Sequence, residues 1–169
     1  MYLIALTFGL CLSYFVFTLL FSAFFKNQFA IFNSRSLYSV ILIVIASVII
    51  FSISLSISDI ELSNRVLHAL GGGFLTFFVC FLAFRDSRVA IGKFQFLVFS
   101  ILLVTTLGVA NEILEFFLQS YFHLPFSLNP NDTWLDLISN TVGLLLGAII
   151  LAPFVGRKSR PSQTGLHTN

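Results

Sequence analysis

Charge is what this chain has least of. Asp, Glu, Lys and Arg make up 9% of its 169 residues, and 57% are hydrophobic. Soluble proteins carry about 25% charged residues, so this balance excludes a water-soluble domain. A formal charge of +2, spread over short gaps, is too weak to bind nucleic acid. Cysteine is scarce too. Cys11 and Cys80 sit in the middle of apolar runs, without CxxC or metal-ligand spacing, and read as small buried hydrophobes. They assign no redox compartment. The N-terminal run has neither a basic leader nor an A-x-A-like cleavage site, which predicts a retained helix rather than a removable signal peptide. The chain also lacks a Gly-rich phosphate loop, an H-E-x-x-H pair and a G-x-S-x-G elbow. Gly71-Gly72-Gly73 lies inside an apolar run and follows no strand. No internal repeat, linker or second domain is visible.

Long apolar runs rich in phenylalanine fill the space left by charge. About 20 apolar residues cross a bilayer as a helix. Five such runs occur: Tyr2 to Phe25, about Leu37 to Ile57, Val66 to Phe84, Phe94 to Phe117, and Thr133 to Pro153. They predict an all-α polytopic integral membrane protein, a single transmembrane domain over residues 1–156 with a disordered cytoplasmic tail over 157–169. The stretch Ser52 to Ser58 alternates with period two, as a strand would. An isolated strand in lipid cannot satisfy its backbone, so a serine-rich helix end facing other helices is the cheaper reading.

Loop charges give the orientation. Lys26, Arg35, Arg85, Arg88, Lys93, Arg157, Lys158 and Arg160 all fall in gaps on one side. Only Arg65 is opposite, and no Lys or Arg occurs from Phe94 to Gly156. The positive-inside rule then places the N-terminus outside and the C-terminus in the cytoplasm. Five spans require termini on opposite sides, which agrees.

With that topology, the acidic residues in or beside the spans gather at the outer side. His68, Asn111, Glu112, Glu115, Asp132, Asp136 and Asn140 land at the outer ends of three different helices. Ionisable groups at membrane depth cost roughly 2.5–3.5 kcal/mol each on insertion scales and by default mark a working site. Glu112 and Glu115 lie about 18 and 21 residues past Phe94, or roughly 27–32 Å of helix rise. They reach His68's level from the opposite direction. Asn111 and Glu115 are i,i+4 and share a face; Asp132, Asp136 and Asn140 follow at i, i+4 and i+8. Gly143 and Gly147 continue that stripe, and Gly72 follows His68 by four, so small residues predict close helix packing beneath the polar heads. The expectation is an outward-opening, substrate-binding pocket between spans three, four and five.

Blander readings apply to each residue alone. Asp132 with Thr133 fits a helix N-cap. Glu112 and Glu115 fit solvated headgroup-level charges, His68 a satisfied core histidine, and Asn140 an interhelical bridge. Their clustering at one depth and face favours a common role. Two carboxylates three residues apart in a partly apolar site cannot both carry charge cheaply unless a cation or His68 intervenes. Proton storage, acid/base work and coordination of a divalent metal all fit that pattern. The histidine with acids also suits zinc or manganese, although the spacing matches no strong metal motif.

The series His68, Glu112-x-x-Glu115, then Asp132-Thr133-x-x-Asp136-Leu137-x-x-Asn140-x-x-Gly143-x-x-x-Gly147, resembles the VanZ-like family of small bacterial membrane proteins. The likeness covers His68 to Gly147, about half the chain, and is most specific in its Asp-x-x-Asn-x-x-Gly-x-x-x-Gly tail. It carries over His68, Glu115, Asp136, Asn140, Gly143 and Gly147. It implies a bacterial inner membrane location, with a role touching the cell envelope and antibiotic resistance, since the founding member is associated with low-level teicoplanin resistance. Two features depart from that family. Many relatives have Glu-x-x-Gln where this chain has Glu112-x-x-Glu115, though Gln119 lies one turn on. They also tend to carry an arginine before the aspartate, and this chain has none there, leaving His68 and Arg65 to meet a phosphate.

Three functions follow as expectations. One is binding of membrane lipids or a lipid-linked envelope precursor. Another is a metal- or acid/base-dependent hydrolase or transferase on lipid headgroups. The last is a small proton-coupled transporter, which five spans without a repeat make harder to build. Oligomeric state stays open.

Overall fold

The computed structural model describes residues 2–25, 34–123 and 130–155, so the tail over 157–169 lies outside the described residues. It is helical throughout, with no strand among the described residues. The elements are α1 (Tyr2–Phe24), α2 (Ser34–Leu55), α3 (Ile60–Leu67), a π-helical segment (His68–Leu75), α4 (Thr76–Ser87), α5 (Lys93–Phe122) and α6 (Pro130–Leu151), with a final 3-10 turn at Ala152–Phe154. α3, the π segment and α4 run on as one span, Ile60–Ser87, so five helices are long and apolar enough to cross a membrane.

Their ends differ from the apolar runs for local reasons. α3 begins at Ile60, six residues before Val66, because Asp59 caps it by accepting from the Leu62 N–H at 3.0 Å. α5 continues past Phe117 to Phe122, and α6 spans Pro130–Leu151. The serine-rich end of α2 stays helical to Leu55. Ser52 donates to the Val48 carbonyl at 2.8 Å, while buried Ser54 meets Ser63 of α3, Oγ to Oγ, at 2.8 Å.

Two ends of the bundle have different chemistry. At one, Phe21 of α1 packs on Phe84, Phe96 and Phe99 with ring centroids 5.6, 6.4 and 5.2 Å away. Phe84 and Phe96 stand 4.6 Å apart. Such aromatic packing joins the last turns of α1 and α4 to the first turns of α5.

Beside this aromatic layer lies an acid that the one-sided clustering did not anticipate. Asp86 lies beyond the apolar run that ends at Phe84, but α4 runs through it, and its carboxylate is buried at the end opposite His68. Tyr14 donates to Asp86 Oδ2 at 2.9 Å, Ser39 donates to the same oxygen, and Arg85 Nε reaches Oδ1 at 3.1 Å. Four polar groups from α1, α2 and α4 thus close on one another, so the acids are not all at one end.

α6 packs against the π segment with backbones nearly touching. A Cβ on Gly73 would overlap the Asn140 carbonyl, and one on Gly143 would overlap that of Ala69. Any larger residue there forces the two elements apart. Gly147 takes the side chain of Phe77, whose Cβ lies 3.2 Å and ring Cδ1 3.3 Å from where a Cβ on the glycine would be.

Candidate functional site

The π segment starts at His68, α5 ends a few turns beyond Glu112, and α6 has Asp132 in its first turn. These three elements meet at the end of the bundle away from the aromatic layer. Hydrogen bonding in a π segment is wider than in an α-helix, and such segments often accompany functional sites. Here Gly72 and Gly73 admit α6 so closely that a Cβ on either would overlap Asn140, whereas Gly71 faces Leu6 of α1. Thr76 helps to satisfy the altered backbone by donating Oγ1–H to the Gly71 carbonyl at 3.2 Å.

Arg65 organises the entrance. Its NH2 lies 2.5 Å from Asp132 Oδ1, and its NH1 lies 2.5 Å from Asp136 Oδ1. NH1 also donates to the Asp132 carbonyl at 3.3 Å, and Asn64 donates to Asp136 Oδ1 at 3.2 Å. Asp132 is therefore not a helix cap. α6 begins two residues earlier, and the carboxylate turns sideways to pair with α3.

His68 stands between two acids. Its Nε2 is 3.5 Å from Asp136 Oδ1, and its Nδ1 is 3.9 Å from Glu112 Oε1. Glu112 and Asp136 are only 6% and 3% exposed, so neither is a solvated headgroup-level charge. Glu112 Oε1 has no hydrogen-bond partner. Half-buried Glu115 accepts from Asn111 Nδ2 at 2.6 Å, one turn away on the same face. Donor atoms of His68, Glu112 and Glu115 all lie within 4.8 Å of one another. That trio is the one set of metal-ligating side chains brought together among the described residues.

His68, Glu112, Glu115, Asp132 and Asp136 thus form one connected group, with Asn111 attached through Glu115. Asn140 sits deeper, its side chain against Gly72 and Gly108, and its buried Oδ1 also lacks a partner. Gly72, Gly143 and Gly147 line the α6 contact beneath. A shallow apolar cleft lined by Val104, Gly108, Leu137, Asn140 and Leu144 runs between α5 and α6.

Sequence reasoning offered Arg65 only as a contact for a phosphate and did not pair it with the aspartates. A guanidinium is present at the aspartates, but α3 supplies it, so a search along α6 could not find it. The available signal was that Arg65 alone defies the loop charge bias and lies one turn before His68. Four carboxylates share the site with that single guanidinium, which already serves two of them. A free phosphate finds little cationic surface there, and a cation finds several oxygens.

The chain matches the sequence model of a family described as predicted membrane protein (DUF2238) over residues 5–157. Neither a curated protein nor a solved structure matches it. The VanZ-like likeness thus remains one of motif, and the family shown is the other. Five membrane-length helices and a match over nearly the whole chain agree: this protein belongs to the DUF2238 family of predicted membrane proteins.

Proposed function

We propose that the protein binds a lipid headgroup or a lipid-linked envelope precursor through this end of the bundle. In this reading the site faces the exterior of a bacterial inner membrane, as the positive-inside bias of the loops favours. The VanZ-like motif adds an effect on glycopeptide susceptibility. What supports binding is the convergence of His68, Glu112, Glu115, Asp132 and Asp136 from three spans at one membrane depth, where uncompensated charge is costly. The test is an untargeted lipid analysis of what co-purifies with wild type and with a Glu112→Gln/Glu115→Gln variant. Both changes are on α5 and leave the Arg65 pairs alone. A lipid class enriched at least severalfold with wild type is expected. Identical lipid profiles from the two folded proteins would sink the proposal.

A second reading, a hydrolase or transferase acting on the headgroup, is favoured by one observation. His68 has a carboxylate near each ring nitrogen, an arrangement suited to moving a proton. Glu115→Gln separates the two readings. A binder tolerates this isosteric change in part, whereas an enzyme using Glu115 as its base loses nearly all turnover while still inserting.

A further inference from the structure

We infer that His68, Glu112 and Glu115 hold one divalent transition cation, of the zinc or manganese class. The inference rests on the binding reading above in one respect: the ion's open positions would meet the headgroup's oxygens.

Geometry favours a shared ion over a set of hydrogen bonds. His68 Nδ1 and Glu112 Oε1 are 3.9 Å apart, too far for a hydrogen bond. Yet Glu112 is 6% exposed, and Oε1 has no other partner to offset its burial. An ion about 2.0–2.2 Å from each donor places donors roughly 3.2–3.5 Å apart. Small rotations of two flexible glutamates bring the trio, now within 4.8 Å, to that spacing.

The other side of the imidazole is already occupied. Asp136 lies 3.5 Å from Nε2 and is itself fixed by Arg65 and Asn64. A ligating histidine commonly has its second nitrogen held by a carboxylate, which orients the ring and raises its basicity, and Asp136 stands on the side where it would serve. Asp136 is thus a positioning residue, and Nδ1 is the ligand atom. One imidazole with two carboxylates suits zinc or manganese. Calcium prefers six to eight oxygens and magnesium a largely hydrated octahedron, so neither should compete. Three protein donors leave positions open, as in sites that take an exogenous ligand.

Full-length protein, purified in detergent, stripped with chelator and delipidated, is titrated with Zn²⁺ and with Mn²⁺. About one equivalent per chain is expected, undiminished by millimolar Ca²⁺ or Mg²⁺ and lost at least tenfold in affinity in Glu112→Gln. Tyr14→Phe, at the other end, should bind as wild type. Electron spin-echo spectroscopy of the Mn²⁺ form should show coupling to one imidazole nitrogen, a readout that needs no variant. Absence of stoichiometric metal, of nitrogen coupling, or of any loss in folded Glu112→Gln overturns the inference. Metal bound by protein that never co-purifies with lipid upholds it and removes the binding reading. Lipid retained without metal does the reverse.

Discussion

Asp136 Oδ1 faces Arg65 on one side and His68 on the other, at 2.5 Å from NH1 and 3.5 Å from Nε2. One carboxylate oxygen therefore links the entrance of the site to its imidazole. Losing either neighbour changes what the other sees.

Arg65→Gln should be among the most damaging single changes in the chain. It takes the guanidinium from Asp132 and Asp136, whose side chains are 8% and 4% exposed. Breaking a buried pair from one side costs about 3–5 kcal/mol. Thermal unfolding in detergent should show a large fall in midpoint, recovered in part by adding Asp132→Asn and Asp136→Asn. A triple variant no more stable than the single one would contradict the pairing.

Gly143→Ala should prevent α6 from seating on the π segment, since the new methyl meets the Ala69 carbonyl, which is backbone and cannot turn aside. Overpacking of this kind costs typically about 1–3 kcal/mol and here sits at the upper end. Gly9→Ala, with nothing within 4 Å of its Cβ, is the matched control and should be neutral or mildly stabilising. Monodispersity and melting temperature in one detergent separate the two.

Tyr14→Phe removes one hydrogen bond from Asp86 and leaves Ser39 and Arg85 in place. A loss of about 0.5–1.5 kcal/mol is expected, with lipid and metal binding unchanged. A fall in binding would mean that the two ends of the bundle communicate.

Orientation has its own test. A reporter fused after Asn169 should read as cytoplasmic and one inserted near Asn129 as external, as the basic residues of the loops require. The reverse pattern would place the carboxylate site inside the cell and remove the outer-leaflet reading.

Much of this architecture was legible because lipid leaves few options. Five apolar runs in a bilayer must be helices, and Ser52 to Leu55 followed that rule in spite of the alternating pattern, the helix ending before Ser56. The shared level expected for Glu112 and Glu115 came from simple rise per residue, and that of Asp136 from its place at the start of the fifth run. Arg65 was not legible as their partner, because its role depends on which face of α3 turns toward α6. Neither was the π segment. Gly71-Gly72-Gly73 indicates close approach, but the extra backbone width there arises from packing against Gly143 and Asn140. Asp86 was hidden by its neighbours: flanked by Arg85 and Arg88, it looks like loop charge, and only the tertiary fold brings Tyr14 and Ser39 to it.

α5 is 30 residues long, or about 45 Å, whereas the hydrocarbon slab it crosses is about 30 Å thick. Measured from Lys93, Glu112 and Glu115 stand about 28 and 33 Å along the rod, near where acyl chains give way to headgroups. The remaining turns, with exposed Phe116, Phe117, Tyr121 and Phe122, then form an aromatic mast in the interfacial layer. A thicker membrane would draw that mast inward and carry the two glutamates below the waterline, so bilayer thickness itself becomes a control on how open the carboxylates are.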